Sequence, residues 1–590
     1  MKTNIHKFII PLTVVLTVTN GCFEAGKTPK PKEQVLPAYT YAKPVAKPKP
    51  LAQSLLIEEH ASKLGIDFVH NTGATGKKLM PETMGPGCAL FDYDQDGYLD
   101  VAFTDGRSFA DSTPRPMLRL YRNHGGDGAH FTDVTQTAGL SAFSGYGMGL
   151  AIADYDADDD SDVLVTTVTG SRLLRNDKGV FVDVTQAAGL ELTTPEWATS
   201  AAWLDADRDG WLDVFIANYV QWSPETDVFT TLDGTNKSYA TPTVYTGLDN
   251  RLFRNLGTGK FADITATAGL ISGDNKALGI VILDANDDLA MDIFVSNDTV
   301  ANKLYLNDGS GNFIDNALAV GVGYDEQGQA RAGMGVDSGA AVNGTQAIVI
   351  GNFSDEPISL YEKIQTGSVF IDTAQKRGVA IKTMSRLTFG TRFADLNHDG
   401  LDDLILVNGH IEPDIQKVQN AVAYKETIDV FIAQTNGRLV SLEDLTGKPV
   451  SQPIVGRCLA VGDIDNDGDL DGLVAVNGGN PLILRNTIGG AQSLLIDVYD
   501  TKSSGNRQAL GTTVTLTGNN WSRREMVRAR GSYLGHSPYT LHFGIPPTAG
   551  TDIAVTVQWP DGTIEKIGTA QVGNHYRIMR SWQLTTIKHS

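Results

Sequence analysis

Asp92, Asp94, Asp96 and Asp100 stand at positions 1, 3, 5 and 9 of one nine-residue stretch. Carboxylates at that spacing converge on a hard cation that takes six to eight oxygen ligands, which is calcium. The pattern recurs five times: Asp154, Asp156, Asp158 and Asp162; Asp205, Asp207, Asp209 and Asp213; Asp284, Asn286, Asp288 and Asp292; Asp395, Asn397, Asp399 and Asp403; Asp463, Asp465, Asp467 and Asp471. Position 7 (Tyr98, Asp160, Trp211, Ala290, Leu401, Asp469) counts with the ligand set. One copy would be a weak signal, whereas six copies in matching contexts mark a repeated metal-binding device.

The loops are not EF-hands. Position 12, where an EF-hand carries a bidentate Glu, is Phe103, Val165, Ile216, Val295, Leu406 and Val474. Position 6 is Gly97, Gly210, Gly400 and Gly468 in four loops, which permits a sharp turn. Asp159 and Leu289 hold it in the other two. The 284–292 loop, lacking both that glycine and one acid, is expected to be the weakest of up to six calcium sites. The cation's expected role is structural: it neutralises carboxylates that otherwise repel, and by binding only the folded state it stabilises it. The alternative is a directly functional metal.

The elements that must position these loops are short apolar runs. Gly87–Phe91 enters the first loop and Leu99–Phe103 leaves it; Ala201–Leu204 and Val214–Ala217 do the same at the third. Such runs, joined by a tight acidic turn, read as β-hairpins. Two further signatures follow. One is Leu120-Tyr-Arg-Asn123, echoed at Leu173–Asn176, Leu252–Asn255, Leu304–Asn307 and Leu484–Asn486. The other is Phe131-Thr-Asp-Val-Thr135 with Ala138-Gly-Leu140, echoed at 181–190 and 261–270. Four strands per repeat make a propeller blade. The doubled gap between Asp284 and Asp395 hides a blade at Gly333-Met-Gly-Val-Asp337, where Gly339 and Ala341 replace the acids and the metal site is expected to be lost at Asp337. The count is seven. The last repeat ends after Asn486 without its fourth strand, and Ile57–Ala61 is expected to supply it and close the ring. The fold class is all-β: a seven-bladed propeller over 51–490 with one degenerate blade, then a small β-rich domain over 491–590.

The chain has 590 residues and a net charge of −21, which argues against nucleic acid or an anionic membrane as the main partner. Six divalent cations would bring the formal charge to about −9, so the acidity reads as ligand supply. Three cysteines give no disulfide framework. Cys88 and Cys458 fall in blades that a closed ring makes neighbours; buried free thiols are expected, with a disulfide as the alternative.

Residues 1–22 form an export signal: Lys2 and Lys7, then an apolar stretch from Phe8 to Val18, then Gly21-Cys22. Cys22 is the expected lipidation site; plain secretion and a retained anchor are the alternatives. Phe23 after Cys22 mildly favours outer-membrane sorting in a Gram-negative cell. Residues 23–50, rich in Pro and Lys, read as an extended spacer. The expected location is the cell envelope, with membrane contact only through the lipid.

The hairpin loops resemble FG-GAP (integrin-type) repeats. Gly65–His70 with Pro81–Gly85 is similar to the start of the cartilage acidic protein 1-like family. Asn506–Gly511, Arg523-Arg-Glu525, Gly531-Ser-Tyr-Leu534, Leu541–Gly544 and Val557–Gly562 resemble an ASPIC/UnbV domain. The resemblance implies an extracytoplasmic, calcium-binding propeller with adhesion or matrix interaction inferred by analogy; fold alone does not fix function. Arg523, Arg524, Arg528 and Arg530 form a basic patch in an acidic chain. It is expected to pack on the acidic propeller, an anionic glycan being the alternative.

No zinc-protease, serine-hydrolase, Cys-x-x-Cys or P-loop motif occurs. A quieter constellation is Asp105, Asn218, Asn297, Asn408 and Asn477, each ending the strand that leaves an acidic loop, with His410 nearby. If that strand lines the axis, these residues ring the mouth opposite the calcium loops; ordinary strand-end chemistry is the plainer reading. The function expected is a non-enzymatic binding or adhesion module for extracellular protein or polysaccharide. The alternatives are an exported enzyme or enzyme accessory acting on glycans or small molecules at that mouth, and an envelope scaffold or assembly factor.

Overall fold

The computed structural model describes residues 55–111, 113–126, 129–364, 368–489, 492–529, 531–581 and 584–587. The expected signal, spacer and Cys22 lie outside them, as does Arg530. Among the described residues the strands form nine four-stranded sheets. Seven are blades, whose strands we letter a to d in the order in which they pair. Blade 1 is Cys88–Phe91, Asp100–Thr104, Leu118–Asn123 and Phe131–Asp133. Blades 2, 3 and 4 begin at Gly147, Ala198 and Ala277; blades 5, 6 and 7 begin at Gly333, Thr388 and Gly456. Every blade is an antiparallel meander, with strands a and b joined by the acidic hairpin except in blade 5.

Blade 7 takes its fourth strand from the start of the chain. Ile57–His60 pairs antiparallel with Leu482–Arg485, Glu59 opposite Ile483. This covers an edge that would otherwise expose unpaired backbone groups. It also ties residue 57 to residue 485, so the ring is closed by chain topology.

The seven a strands pack against one another around the axis. The strand that enters each acidic loop is therefore the innermost, and the strand that leaves it is second. The a strands come close together because small residues recur on them: a Cβ added to Gly335 would lie 2.0 Å from the Phe389 carbonyl oxygen of blade 6. In blades 2 to 7 the pairing of a with b shifts register near its start, at Gly147/Leu150 for example. Such bulges bend and twist a strand.

The other two sheets make the second domain. In one, Ser493–Tyr499 pairs with Leu541–Gly544 and, in parallel, with Asn574–Met579. In the other, Thr513–Thr517 lies between Ser522–Met526 and Asp552–Gln558. Asp552–Gln558 alternates exposed or half-buried residues with Ile553, Val555 and Val557, all buried, the pattern of a sheet covered on one face. Those side chains share one apolar core with Trp203, Phe215 and Ile293 of blades 3 and 4. The second domain is thus packed on the acidic-loop face of the ring.

Its Gly531–Ser537 segment enters the axial channel. Innermost strands carry amides that face the channel without a sheet partner. The segment supplies acceptors for them: Ser532 O takes the Val336 N–H of blade 5 (3.3 Å), Leu534 O the Leu150 N–H of blade 2 (3.3 Å), and His536 O the Leu90 N–H of blade 1 (3.1 Å). Ser537 Oγ accepts from Val461 N of blade 7 at 3.0 Å. Tyr533 and Leu534 are buried among Met148, Leu278, Met334, Leu387 and Phe389, and the Tyr533 hydroxyl donates to Met84 O at 2.8 Å. Met84 follows the 80–83 turn, so the axis is filled from the second domain at one end and from the 79–84 segment at the other. Gly531 permits the entry: a Cβ there would sit 1.8 Å from Val336 O.

Candidate functional site

Each acidic hairpin is built on two backbone positions with positive φ. Position 4 has φ between 57° and 64° in all six loops (Gln95, Ala157, Arg208, Asp287, His398, Asn466). Position 6 has φ between 68° and 90°, and there Leu289 (φ 68°) and Asp159 (φ 77°) carry a side chain in the left-handed region. The position-1 carboxylate pins the turn. Asp92 accepts Asp96 N (3.1 Å) and Gly97 N (2.9 Å), and Asp463 accepts Asp467 N (3.0 Å) and Gly468 N (2.9 Å).

The position-9 aspartates (Asp100, Asp162, Asp213, Asp292, Asp403, Asp471) are 0% exposed. One oxygen of Asp213 accepts Ala206 N of its own loop (3.0 Å), the other Asn255 N on strand c (2.7 Å). All six follow that scheme, with Ala433 replacing Asn in blade 6.

The strand-c asparagine is the last residue of the Leu-x-Arg-Asn signature, and its role was not legible in the sequence. Its amide donates to the carbonyl that follows the position-1 aspartate of the preceding blade. Asn176 reaches Tyr93 O (2.9 Å), Asn255 reaches Tyr155 O (2.9 Å), Asn307 reaches Ala206 O (2.8 Å), Asn486 reaches Leu396 O (2.8 Å) and Asn123 reaches Ile464 O (3.0 Å). These clasps hold the acidic loops in blade-to-blade register. Blades 5 and 6 end strand c in Lys363 and Ala433, and there the clasp is missing; Lys363 Nζ instead meets Asp287 at 2.6 Å.

Carboxylate oxygens converge in four loops: Asp92, Asp94 and Asp96; Asp154, Asp156 and Asp162; Asp205, Asp207 and Asp213; Asp463, Asp465 and Asp471, within 4.8 Å in each group. Each group also contains one buried carboxylate oxygen with no hydrogen-bond donor: Asp94 Oδ1, Asp156 Oδ1, Asp205 Oδ1 and Asp465 Oδ1. An orphaned anionic oxygen facing others of like charge fits a cation. The loops with Asn286 and Asn397 do not bring three carboxylates together; there the Asn amide donates to Asp288 (2.8 Å) or Asp399 (3.2 Å).

Electrostatics point the same way. Burial, with neighbouring aspartates adding to it, pushes Asp92 up to about 6, Asp154 and Asp205 to about 7, and Asp463 to about 8. Burial likewise raises Asp100 and Asp162 to about 9 despite the amides they accept. Arg122 and Arg254, from the same signature, lie 2.6 Å from Asp94 and 2.7 Å from Asp207, supplying part of the missing positive charge.

Blade 5 has no such loop. Ala340 pairs with Gln346 across a five-residue turn. Asp337 is not a remnant first ligand: it sits within strand a opposite Val349, buried, and accepts Phe393 N at 3.0 Å. Its charge faces Arg392 of blade 6 (3.3 Å) and Arg528 of the second domain (3.8 Å).

The second domain lies directly over the loops. Arg523 binds Asp402 and the Gly400 carbonyl, Arg507 binds Asp159 at 2.7 Å, and Gly505 N donates to Gly210 O at 2.8 Å. The basic patch is thus engaged by the propeller at Arg523 and Arg528. Above blades 1, 2, 6 and 7 a cavity of about 540 Å³ remains between ring and domain, lined by Tyr499, Tyr539, His542, Arg577 and the Asp497–His575 pair (3.2 Å).

The residues expected to ring a mouth do not. They end second strands, away from the axis, and all but the half-buried Asn477 are at most 2% exposed. Asn218 donates to Asp249 O and Glu196, Asn297 to Ala301 O, Asn408 to Thr427 O and Asn477 to Glu82 O; Asp105 binds Arg115 at 3.0 Å. They fasten loops to strand ends. His410 accepts Glu412 N at Nδ1 (3.0 Å), and burial with nearby Arg457 lowers it to about 4. It is a neutral loop histidine.

Against this geometry the comparisons with known proteins are specific. Residues 92–165 and 154–216 match the FG-GAP-like repeat, and residues 502–584 match the ASPIC and UnbV family. The chain carries FG-GAP-like repeats and a C-terminal ASPIC/UnbV domain. No curated protein matches the sequence. Among solved structures, a lectin of Agrocybe aegerita, described as recognising non-reducing terminal N-acetylglucosamine, is similar at 15% identity over 64% of this chain and 86% of its own (TM-score 0.34). The Dos1 propeller is similar at 11% identity over 69% and 94% (TM-score 0.35). Likeness at this level extends no further than architecture. Among the described residues no helix is long and apolar enough to cross a membrane.

Proposed function

We propose that this protein is an exported, calcium-stabilised binding module whose propeller engages an extracellular protein or polysaccharide. The observation that carries this reading is the filled axis. Tyr533 and Leu534 occupy the channel in which a propeller would otherwise hold a small ligand, and the acidic face is covered by the ASPIC/UnbV domain. The loop face at the other end is left for a partner. Lys78 and Tyr239 both meet Glu412 there, so the loops of blades 3 and 6 and the 70–84 segment join across the axis. Phe229 (61% exposed), Leu232 and Val244 present apolar surface from the blade 3 loop.

Calcium is the cation that suits all-oxygen clusters such as Asp154, Asp156 and Asp162. When bound, it supplies charge neutralisation. The cartilage acidic protein-like resemblance and the leader favour export with Cys22 as lipid anchor. A glycan and envelope-protein screen, run with calcium and with chelator, tests the reading. A partner retained by the intact protein and lost from Phe229→Ala/Leu232→Ala, with an unchanged melting curve, is the expected result. No retained partner in either library would sink it.

A second reading, an enzyme or enzyme accessory, is favoured by the cavity beside Asp497 and His575. A small-molecule thermal-shift screen of the intact protein addresses it; a hit that survives in Asp497→Asn would remove that site from consideration.

A further inference from the structure

Cys88 and Cys458 lie on the a strands of blades 1 and 7, where the ring closes. In the other blades the position that Cys458 holds is Gly87, Gly149, Gly279, Gly335, Gly390 or Ser200, so it carries a small residue facing the next a strand. Blade 7 alone places a thiol there, and the strand it faces alone offers another. The two Sγ atoms are 2.9 Å apart, and Cys458 Sγ is 3.6 Å from the Cys88 carbonyl oxygen. Both side chains are 0% exposed. A covalent S–S bond spans about 2.05 Å, so bonding needs a sulfur displacement of roughly 1 Å.

We infer that Cys88 and Cys458 form a disulfide that locks blade 1 to blade 7. The inference rests on the export reading only for its oxidising compartment. The chemistry is thiol–disulfide exchange. One thiolate attacks an external disulfide and expels one thiolate; the second cysteine then attacks the mixed disulfide and expels the other. The two cysteines lose two protons and two electrons, and the external disulfide is reduced to two thiols. The axial segment decides when this happens. A Cβ on Gly535 would lie 2.4 Å from Cys458 Sγ, so the segment seals the pair once seated. Burial also pushes the Cys88 thiol well up, which withholds thiolate from the folded state. The bond therefore forms before the segment seats, and afterwards it resists external reductant.

The full chain, refolded in oxidised/reduced glutathione, tests this independently of where the cell sends it. Alkylation after denaturation without reductant should label Cys22 alone, and the digest should contain the Cys88 and Cys458 peptides joined, lighter by two hydrogens. The oxidised protein should melt several degrees above the reduced one, and Cys88→Ala/Cys458→Ala should melt identically in both buffers. Labelling of Cys88 and Cys458 in the refolded protein overturns the inference. A joined pair after refolding, with both thiols free in protein taken from cells, upholds the bond and counts against export.

Discussion

Asn255 shows how one side chain serves two blades. Its backbone N–H binds the buried Asp213 carboxylate, while its amide binds Tyr155 O of blade 2 and Leu212 O of blade 3. Replacing it with Ala leaves both carbonyls unpaired in the interior. Each such group costs about 1–3 kcal/mol, so Asn255→Ala should destabilise by about 2–6 kcal/mol. Urea unfolding is the measurement, read as a lower midpoint with unchanged slope. A change below about 0.5 kcal/mol, typical of surface sites, would remove the clasp from the account.

The acidic hairpin is an element that the chain alone leaves under tension. In the cation-free protein, burial holds Asp92, Asp154 and Asp395 at about 6 to 7 and Asp100 and Asp162 at about 9, against an unfolded value near 3.8. A raised carboxyl pKa means that the folded state holds its proton more tightly. Stability is then greatest below the unfolded value and is lost as pH rises through the folded one. Chelated protein should therefore melt at progressively lower temperature between about pH 4 and pH 9. Saturating calcium should reverse that slope, because protons now compete with the cation. Melting curves across this range with and without chelator check both signs. The elements also differ among themselves. Asn286, which turns its amide on Asp288, leaves the blade 4 loop one charge short. Asn286→Asp should tighten calcium there several-fold in a calorimetric titration, and unchanged binding would remove ligand charge as a determinant of affinity at that loop.

At the scale of the molecule, propeller and second domain share packed apolar cores. Tyr533 stacks edge-on against Phe389 at 4.8 Å, is fully buried, and bonds the 79–84 segment through its hydroxyl. Tyr533→Ala should cost about 3–5 kcal/mol. It should lower the melting temperature of the whole chain in a single transition, although the residue belongs to the ASPIC/UnbV domain. Two calorimetric transitions, with only the first displaced, would mean that the channel segment does not couple the domains. Removing residues 51–70 should unfold the ring in the same all-or-none way, since Ile57–His60 is the fourth strand of blade 7; an unchanged melting curve for that deletion would overturn the coupling.

The sequence by itself determined the repeat, the acidic clusters that could hold a metal and the count of blades. Spacing of carboxylates and alternation of short apolar runs are local properties, written within ten or so residues of each loop. Ring closure was legible too, because a strand missing at one end and spare at the other is visible in the chain. Tertiary structure alone decided which strand is innermost, since both flanks of the loop are apolar and pattern does not rank them. It therefore removed Asn218, Asn297 and Asn408 from the axis and showed the Asp337 carboxylate answered by Arg392 and Arg528. It also gave the Leu-x-Arg-Asn asparagines and Gly531–Ser537 their roles. The contacts they make between blades and along the channel join residues from 76 to 449 positions apart, such as Val461 with Ser537 and Met84 with Tyr533. A hydrogen bond between distant segments leaves no periodic trace, because only the fold brings its donor and acceptor together.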